Sequence, residues 1–251
     1  MTVRILVATI GRVLRQLRHD RRTVALLVVV PALLLAVLYY MYDNQPVPPG
    51  APSTFDRVAL IMLGLFPFVI MFLVTSIAML RERTSGTLER LLTTPLGKLD
   101  LLFGYGIAFG LAAAVQATIA AGVAYRLFDL QTAGSPALVV GIAVLNAVLG
   151  VAIGLLCSAF ARTEFQAVQF MPVVVIPQSL LCGLFVPRDE MAGWLQAVSD
   201  VMPLSYAVEA LQEVGAHAEP TATLWWDVAV VAGAVVIALV LAAATLRRRS
   251  G

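Results

Sequence analysis

Charge is scarce in this chain. Only 13% of its 251 residues are Asp, Glu, Lys or Arg, against about 25% in an ordinary soluble domain. A single lysine, Lys98, stands beside sixteen arginines. Histidine and cysteine number two each. No H-E-x-x-H run occurs, and His19 and His217 are too far apart in the topology derived below to share a site, so neither metal-dependent nor Ser–His hydrolysis is expected. A phosphate-binding G-x-x-x-x-G-K-[ST] loop is also missing: Lys98 follows Gly97, but Leu99 comes next and Leu92 stands where the first glycine should be. The chain is therefore expected to bind no metal, cofactor or nucleic acid and to hydrolyse no ATP by itself. Cys157 and Cys182 fall near opposite ends of adjacent apolar runs and read as free thiols. There is no internal repeat and no low-complexity stretch.

Hydrophobic residues make up 60% of the sequence, and the mean hydropathy is +0.91. Apolar runs recur at the length needed to cross a bilayer core of about 30 Å. A barrel would show alternating segments of about ten residues instead. The fold class is an all-α polytopic membrane protein, one transmembrane domain over residues 1–251. Six spans are predicted at Thr23–Tyr42, Val58–Leu80, Leu101–Tyr125, Pro136–Phe160, Phe165–Val186 and Leu224–Leu246. The first begins after a long arginine-bearing segment and no small-residue cleavage site follows it, which argues against a removable signal peptide. In that segment, residues 2–22, Ile5, Leu6, Ile10, Val13, Leu14 and Leu17 recur at helical spacing with Arg4, Arg12, Arg15 and Arg18 between them. The pattern suits a helix lying in the membrane interface, or a plain basic anchor for the first span.

Fourteen of the seventeen Lys and Arg residues fall on one side of this arrangement, leaving only Arg57, Arg126 and Arg188 on the other. The positive-inside rule then puts both chain ends in the cytoplasm. Tyr39, Tyr40 and Tyr42 end the first span, and Trp225 and Trp226 open the last, at the outer interface that amphipathic rings prefer. Outside, Pro46, Pro48, Pro49 and Pro52 mark a stiff extended loop. Between spans five and six, Met191, Trp194, Leu195, Val198, Val201 and Met202 recur at near-helical spacing until Pro203, where a second segment, Leu204–Val214, begins. Two short amphipathic helices folding back into the outer interface are expected.

Polar residues inside spans are functional candidates. Here they are Gln116, Asn146, Gln166, Gln169 and Gln178. Asn146 reads as an interhelical hydrogen bond or a substrate contact. The fifth span adds Pro172 and Pro177, each favouring a kink, and is the best candidate lining for a pathway. The spans are expected to hold no carboxylate, which argues against a proton-coupled transporter. Gly106-x-x-x-Gly110 and Gly150-x-x-x-Gly154 both read as close internal packing.

One polar stretch stands apart. Arg81–Lys98 packs six charges into eighteen residues between two spans. Gly86 ends or bends the incoming helix, and a short helix over Thr87–Leu92, within about 84–95, would carry Leu88, Leu91 and Leu92 on one face. Glu89 sits in its first turn and Thr94-Pro95 stops it. That leucine face needs a cover: lipid, the chain's own N-terminal helix, or another protein.

Glu82-x-x-x-Gly86-Thr87-Leu88-Glu89-Arg90-Leu91-x-x-x-Pro95-Leu96 resembles the cytoplasmic signature of type-2 ATP-binding-cassette (ABC) exporter permeases. Gly183-Leu-Phe185-Val-Pro187, then Trp194-Leu195 and Pro203-Leu-Ser-Tyr206-Ala-Val-Glu-Ala-Leu, is similar to that family's segment after the fifth span. The likeness is greatest to its drug- and antibiotic-resistance group. Gln212, where many relatives carry arginine, and Ala192-Gly193, where proline is common, depart from the pattern. The resemblance implies a coupling helix, with Glu82, Arg83, Gly86, Thr87, Leu88, Glu89, Arg90, Leu91 and Leu92, docking on a separate nucleotide-binding subunit that holds ATP and Mg²⁺. It implies a second permease subunit, identical or homologous. Substrate would follow spans two and five past Gln166, Gln169, Pro172, Pro177 and Gln178. Re-entrant helices over 187–214, with Phe185, Pro187, Trp194, Pro203 and Tyr206, would close the outer end. The expected role is ATP-driven export of a hydrophobic or amphipathic compound across a bacterial inner membrane. A secondary transporter or channel, or an assembly subunit that transports nothing, are the alternatives.

Overall fold

Apolar runs of this length satisfy their own backbone only as helices. The computed structural model describes residues 3–42, 45, 53–85 and 98–245, and among them every regular element is helical. Helix α1 (Val3–His19) ends at Asp20, which caps α2 (Arg21–Tyr42) by accepting the Thr23 N–H at 3.2 Å and the Thr23 hydroxyl at 2.7 Å. Helix α3 (Thr54–Thr84) starts at a capping box in which Ser53 and Asp56 satisfy each other's backbone N–H. Then come α4 (Lys98–Leu127), α5 (Pro136–Cys157) and α6 (Glu164–Leu181). A 3-10 turn (Arg188–Glu190) leads to α7 (Gly193–Ser199), α8 (Pro203–Ala216) and α9 (Ala222–Thr245).

Five of these helices, α2, α3, α4 from Leu102, α5 and α9, are long and apolar enough to cross a bilayer. The predicted fifth span differs. Its helix stops at Leu181, five residues before the predicted end at Val186, and its 18 residues span only about 27 Å at 1.5 Å each. Gly183, at φ +92°, turns the chain just beyond it.

The core is built on α3 and α5. Gly150 and Gly154 let α5 lie directly against the α3 backbone: a Cβ at either would sit 2.3 Å from Phe68 O or 2.6 Å from Phe72 O. The Gly106/Gly110 motif of α4 does not work this way, since a Cβ at those positions would meet nothing nearer than 4.0 and 3.8 Å. Asn146 donates to Gly64 O at 2.7 Å, the interhelical hydrogen bond expected of it. Helix α8 buries Leu204, Ala207, Val208 and Leu211 among α3, α5 and α9, and Leu211 reaches Gly64, well inside α3. One face of α8 is thus packed into the bundle.

The two ends of the bundle contrast. One gathers α1, the end of α3 and the starts of α4 and α6, and carries most of the arginines. At the far end the rings of Tyr39, Phe55 and Phe128 cluster with centroids 5.1–6.3 Å apart, Phe55 edge-on to the other two. There Asp56 accepts the Gln131 N–H at 3.0 Å, and Gly134 N–H donates to Val214 O at 2.9 Å.

Candidate transport path and its two ends

A crevice of about 1090 Å³ runs along α3 between α2 and α6. Apolar side chains wall its length, among them Leu34 on α2, Leu73 on α3 and Ile176 on α6. Its arginine-rich mouth is lined by charges of both signs: Asp20, Arg22, Arg81 and Glu82. The Thr23 hydroxyl, and then its N–H, hold the Asp20 carboxyl below the usual carboxylate range, so that mouth keeps an anion as well as cations. Such a cavity matches an elongated molecule with a polar head and an apolar body.

Two ion pairs frame the mouth. Arg81 on α3 donates Nε and Nη2 to the two carboxylate oxygens of Glu164 on α6, at 2.7 and 3.0 Å. Both side chains are more than half exposed. Behind it, Arg12 on α1 donates Nη1 to Glu82 at 3.3 Å and Nη2 to the Tyr105 hydroxyl at 2.6 Å. Close approach of α1 to α4 depends on Gly104, where a Cβ would lie 2.6 Å from Thr9 Cγ2. Glu82 is buried, facing the chain's own N-terminal helix. Arg83 Nε is buried with no hydrogen-bond partner among the described residues. Gly86, Thr87, Leu88, Glu89, Arg90, Leu91 and Leu92, the predicted coupling helix, lie outside the described residues.

The predicted path residues separate into three places, and none is on the crevice wall. Gln166 folds back to accept the Arg162 N–H at 2.8 Å at the start of α6. Gln166 and Gln169 line a smaller hollow of about 440 Å³ with Arg162, Phe160 and Phe170. Pro172 and Pro177 sit inside α6, which continues through both. Gln178 is buried; its amide donates to Val174 O at 2.9 Å and its carbonyl accepts the Leu204 N–H at 3.4 Å. It therefore satisfies an orphan donor at the start of α8, just after Pro203, and ties α8 to α6.

At the far end Arg188 is the hub. It binds Asp200 at 2.5 Å through Nη2 and Glu209 through Nη1, and lies 4.9 Å from the centre of the Tyr206 ring. Burial lowers its basicity, but Glu209 and Asp200 outweigh this and hold its pKa above the usual value. Tyr206 also donates its hydroxyl to Asp200 O at 2.8 Å. The Ser199 hydroxyl donates to Leu181 O at 2.8 Å, so the turn, α7 and α8 hang together off the end of α6. Pro187 precedes the turn as its cap residue. Phe185 and Trp194 remain about 70% exposed, at 70% and 71%, as lipid-facing or interface side chains would.

One functional candidate contradicts the expectation from sequence. Asp227 lies in the second turn of α9, inside the predicted last span, and is 2% exposed. The spans do contain a carboxylate. Its position right after Trp225-Trp226 is the signal that could have singled it out, because a charge beyond an interfacial aromatic pair is already below the headgroups.

The ABC-2 type transporter family profile matches residues 4–214. The chain is 29% identical over 153 residues to a protein of Escherichia coli (strain K12) named probable multidrug ABC transporter permease YbhR, covering 61% of this chain and 42% of that one. It is 28% identical over 138 residues to the linearmycin resistance permease protein LnrN of Bacillus subtilis (strain 168), covering 55% and 36%. It is 26% identical over 167 residues to ABC transporter G family member 20 of Dictyostelium discoideum, covering 66% and 23%. These alignments span less than half the length of each relative.

Proposed function

Because the chain belongs to the ABC-2 type transporter family, we propose that it is the membrane subunit of an ATP-driven exporter of hydrophobic or amphipathic compounds. ATP and Mg²⁺ would bind a separate nucleotide-binding subunit, docked on the stretch that follows α3, and a second permease subunit, identical or homologous, would complete the assembly. In this reading α6 is the fifth of six membrane-spanning segments. Its polar start and 18-residue length suit a helix that faces protein more than lipid. The arginine-rich end is cytoplasmic, the membrane is the bacterial inner membrane, and α7–α8 form the re-entrant closure of the outer end.

The crevice along α3 carries this proposal. It is partly open, apolar along its length and charged at its arginine-rich mouth, which suits an amphiphile with its head among Asp20, Arg22 and Arg81. Energy from the partner would arrive through the end of α3, where Arg81 holds α6 and Glu82 holds α1. A push there moves three elements of the crevice together. The relatives named probable multidrug ABC transporter permease and linearmycin resistance permease protein support a drug- or antibiotic-like substrate.

A co-expressed nucleotide-binding subunit should co-purify with the chain, and amphipathic compounds should raise its ATPase rate. A permease that transports when purified without any ATPase would replace this reading with that of a secondary transporter, which the buried Asp227 favours.

A further inference from the structure

Asp227 is a buried carboxylate at 2% exposure. Its Oδ2 is closed to solvent and has no hydrogen bond among the described residues. Helix α9 packs here against α8 and α5. From α8 come Glu209 and Glu213, one turn apart, and with Arg188 these are the charges that act on Asp227. Helix α5 contains no charged residue, and α4, which touches α9 more lightly, ends in an exposed Arg126.

The neighbouring carboxylates are all engaged. Glu209 and Asp200 share Arg188. Glu213 accepts the Thr221 hydroxyl at 2.6 Å and lies 3.4 Å from His217. Asp227 alone would carry its charge buried, with no hydrogen bond to Oδ2 among the described residues, and the fields of Glu209 and Glu213 add to the cost of desolvation. A metal ion is not the remedy, since among the described residues no three His, Cys, Asp or Glu side chains group as a metal site requires. A proton is.

We propose that Asp227 is a proton-binding site, a neutral carboxylic acid while α8 is seated on α9. When the proton leaves to water at the far end, the carboxylate needs a donor. Arg188, whose Nε is also buried and without a partner among the described residues, is the cation whose field acts on Asp227. Drawing the guanidinium toward Asp227 pulls it from Asp200 and Glu209, and so loosens α7 and the 3-10 turn from α8. The far end would then be proton-sensitive whatever drives transport, so the failure of the ATP-driven reading leaves this site untouched.

Infrared difference spectroscopy on the 251-residue chain in lipid tests it directly. Between about pH 6 and about pH 10, the wild type should lose the carbonyl stretch of a protonated carboxyl, and Asp227→Asn should show no such loss. Asp227→Glu should keep the band at a shifted frequency, which guards against an unfolded Asn variant. The same band change in Asp227→Asn as in wild type would overturn the proposal, as would its absence from the wild type.

Discussion

Arg12 and Glu82, seventy residues apart in sequence, meet at 3.3 Å and join the N-terminal helix to the end of α3. The guanidinium also holds the Tyr105 hydroxyl and lies 5.7 Å from that ring's centre, so one side chain locks α1, α3 and α4. Glu82 has a second oxygen already without a partner among the described residues. Arg12→Ala would strip this buried carboxylate of its guanidinium partner. Because Arg12 is 29% exposed, the loss should fall below that of a fully buried pair, at about 1–3 kcal/mol. Thermal unfolding of the detergent-purified chain should show a midpoint several degrees lower for Arg12→Ala, with Glu82→Gln milder because it keeps an acceptor. A wild-type midpoint for Arg12→Ala would show that the pair does not hold α1.

The two glycine motifs should respond in opposite ways. Gly150→Val places atoms inside the Phe68 backbone, 2.3 Å from its carbonyl oxygen at the Cβ alone, and cannot be relieved by a rotamer. It should abolish the monodisperse peak of a fluorescent fusion on size exclusion. Gly106→Ala, with 4.0 Å to its nearest neighbour, should leave that peak unchanged, and helix propensity should even favour it. Equal behaviour of the two variants would contradict the packing of α5 on α3.

That contrast shows where sequence reading stops. Long helices were legible because a bilayer demands apolar runs of fixed length, and Pro203 announced the break between α7 and α8. Both glycine motifs look alike as text, yet only the α5 pair faces another backbone. Arg12, Glu82 and Tyr105 were visible singly, but their meeting depends on three helices sharing one end. The glutamines of α6 read as pathway because they are polar inside a span, and no sequence signal showed that two of them serve helix starts, Gln166 at its own and Gln178 at that of α8. Asp227 escaped notice because a hydropathy window averages one charge away among twenty apolar neighbours.

The Arg81–Glu164 pair should matter for movement more than for stability. Both groups are well exposed, so Arg81→Ala should change stability by less than about 1 kcal/mol. Its contact bridges α3 and α6 at the crevice mouth, and Arg81→Glu should lower substrate-stimulated ATPase activity through repulsion with Glu164. Arg81→Glu combined with Glu164→Arg should restore it. Failure of the double variant to recover any activity would remove the pair from the mechanism.

Coupling through the stretch after α3 predicts a separation of activities. Glu89→Arg with Arg90→Glu should leave membrane insertion intact, and ATP hydrolysis by the assembly should continue while transport stops. Normal transport in that variant would count against a docked helix there.

The central claim is that ATP hydrolysed by a partner moves an amphiphile along the crevice on α3. The direct measurement is uptake of a fluorescent amphipathic dye into inside-out vesicles containing the chain and its nucleotide-binding subunit. Uptake should require ATP, and Ile176→Trp, at a 43% exposed wall position, should reduce it about tenfold, or about 1.4 kcal/mol in barrier terms, without lowering the amount of folded protein. Uptake that persists without ATP, or that proceeds at the wild-type rate through the Ile176→Trp crevice, would contradict the account.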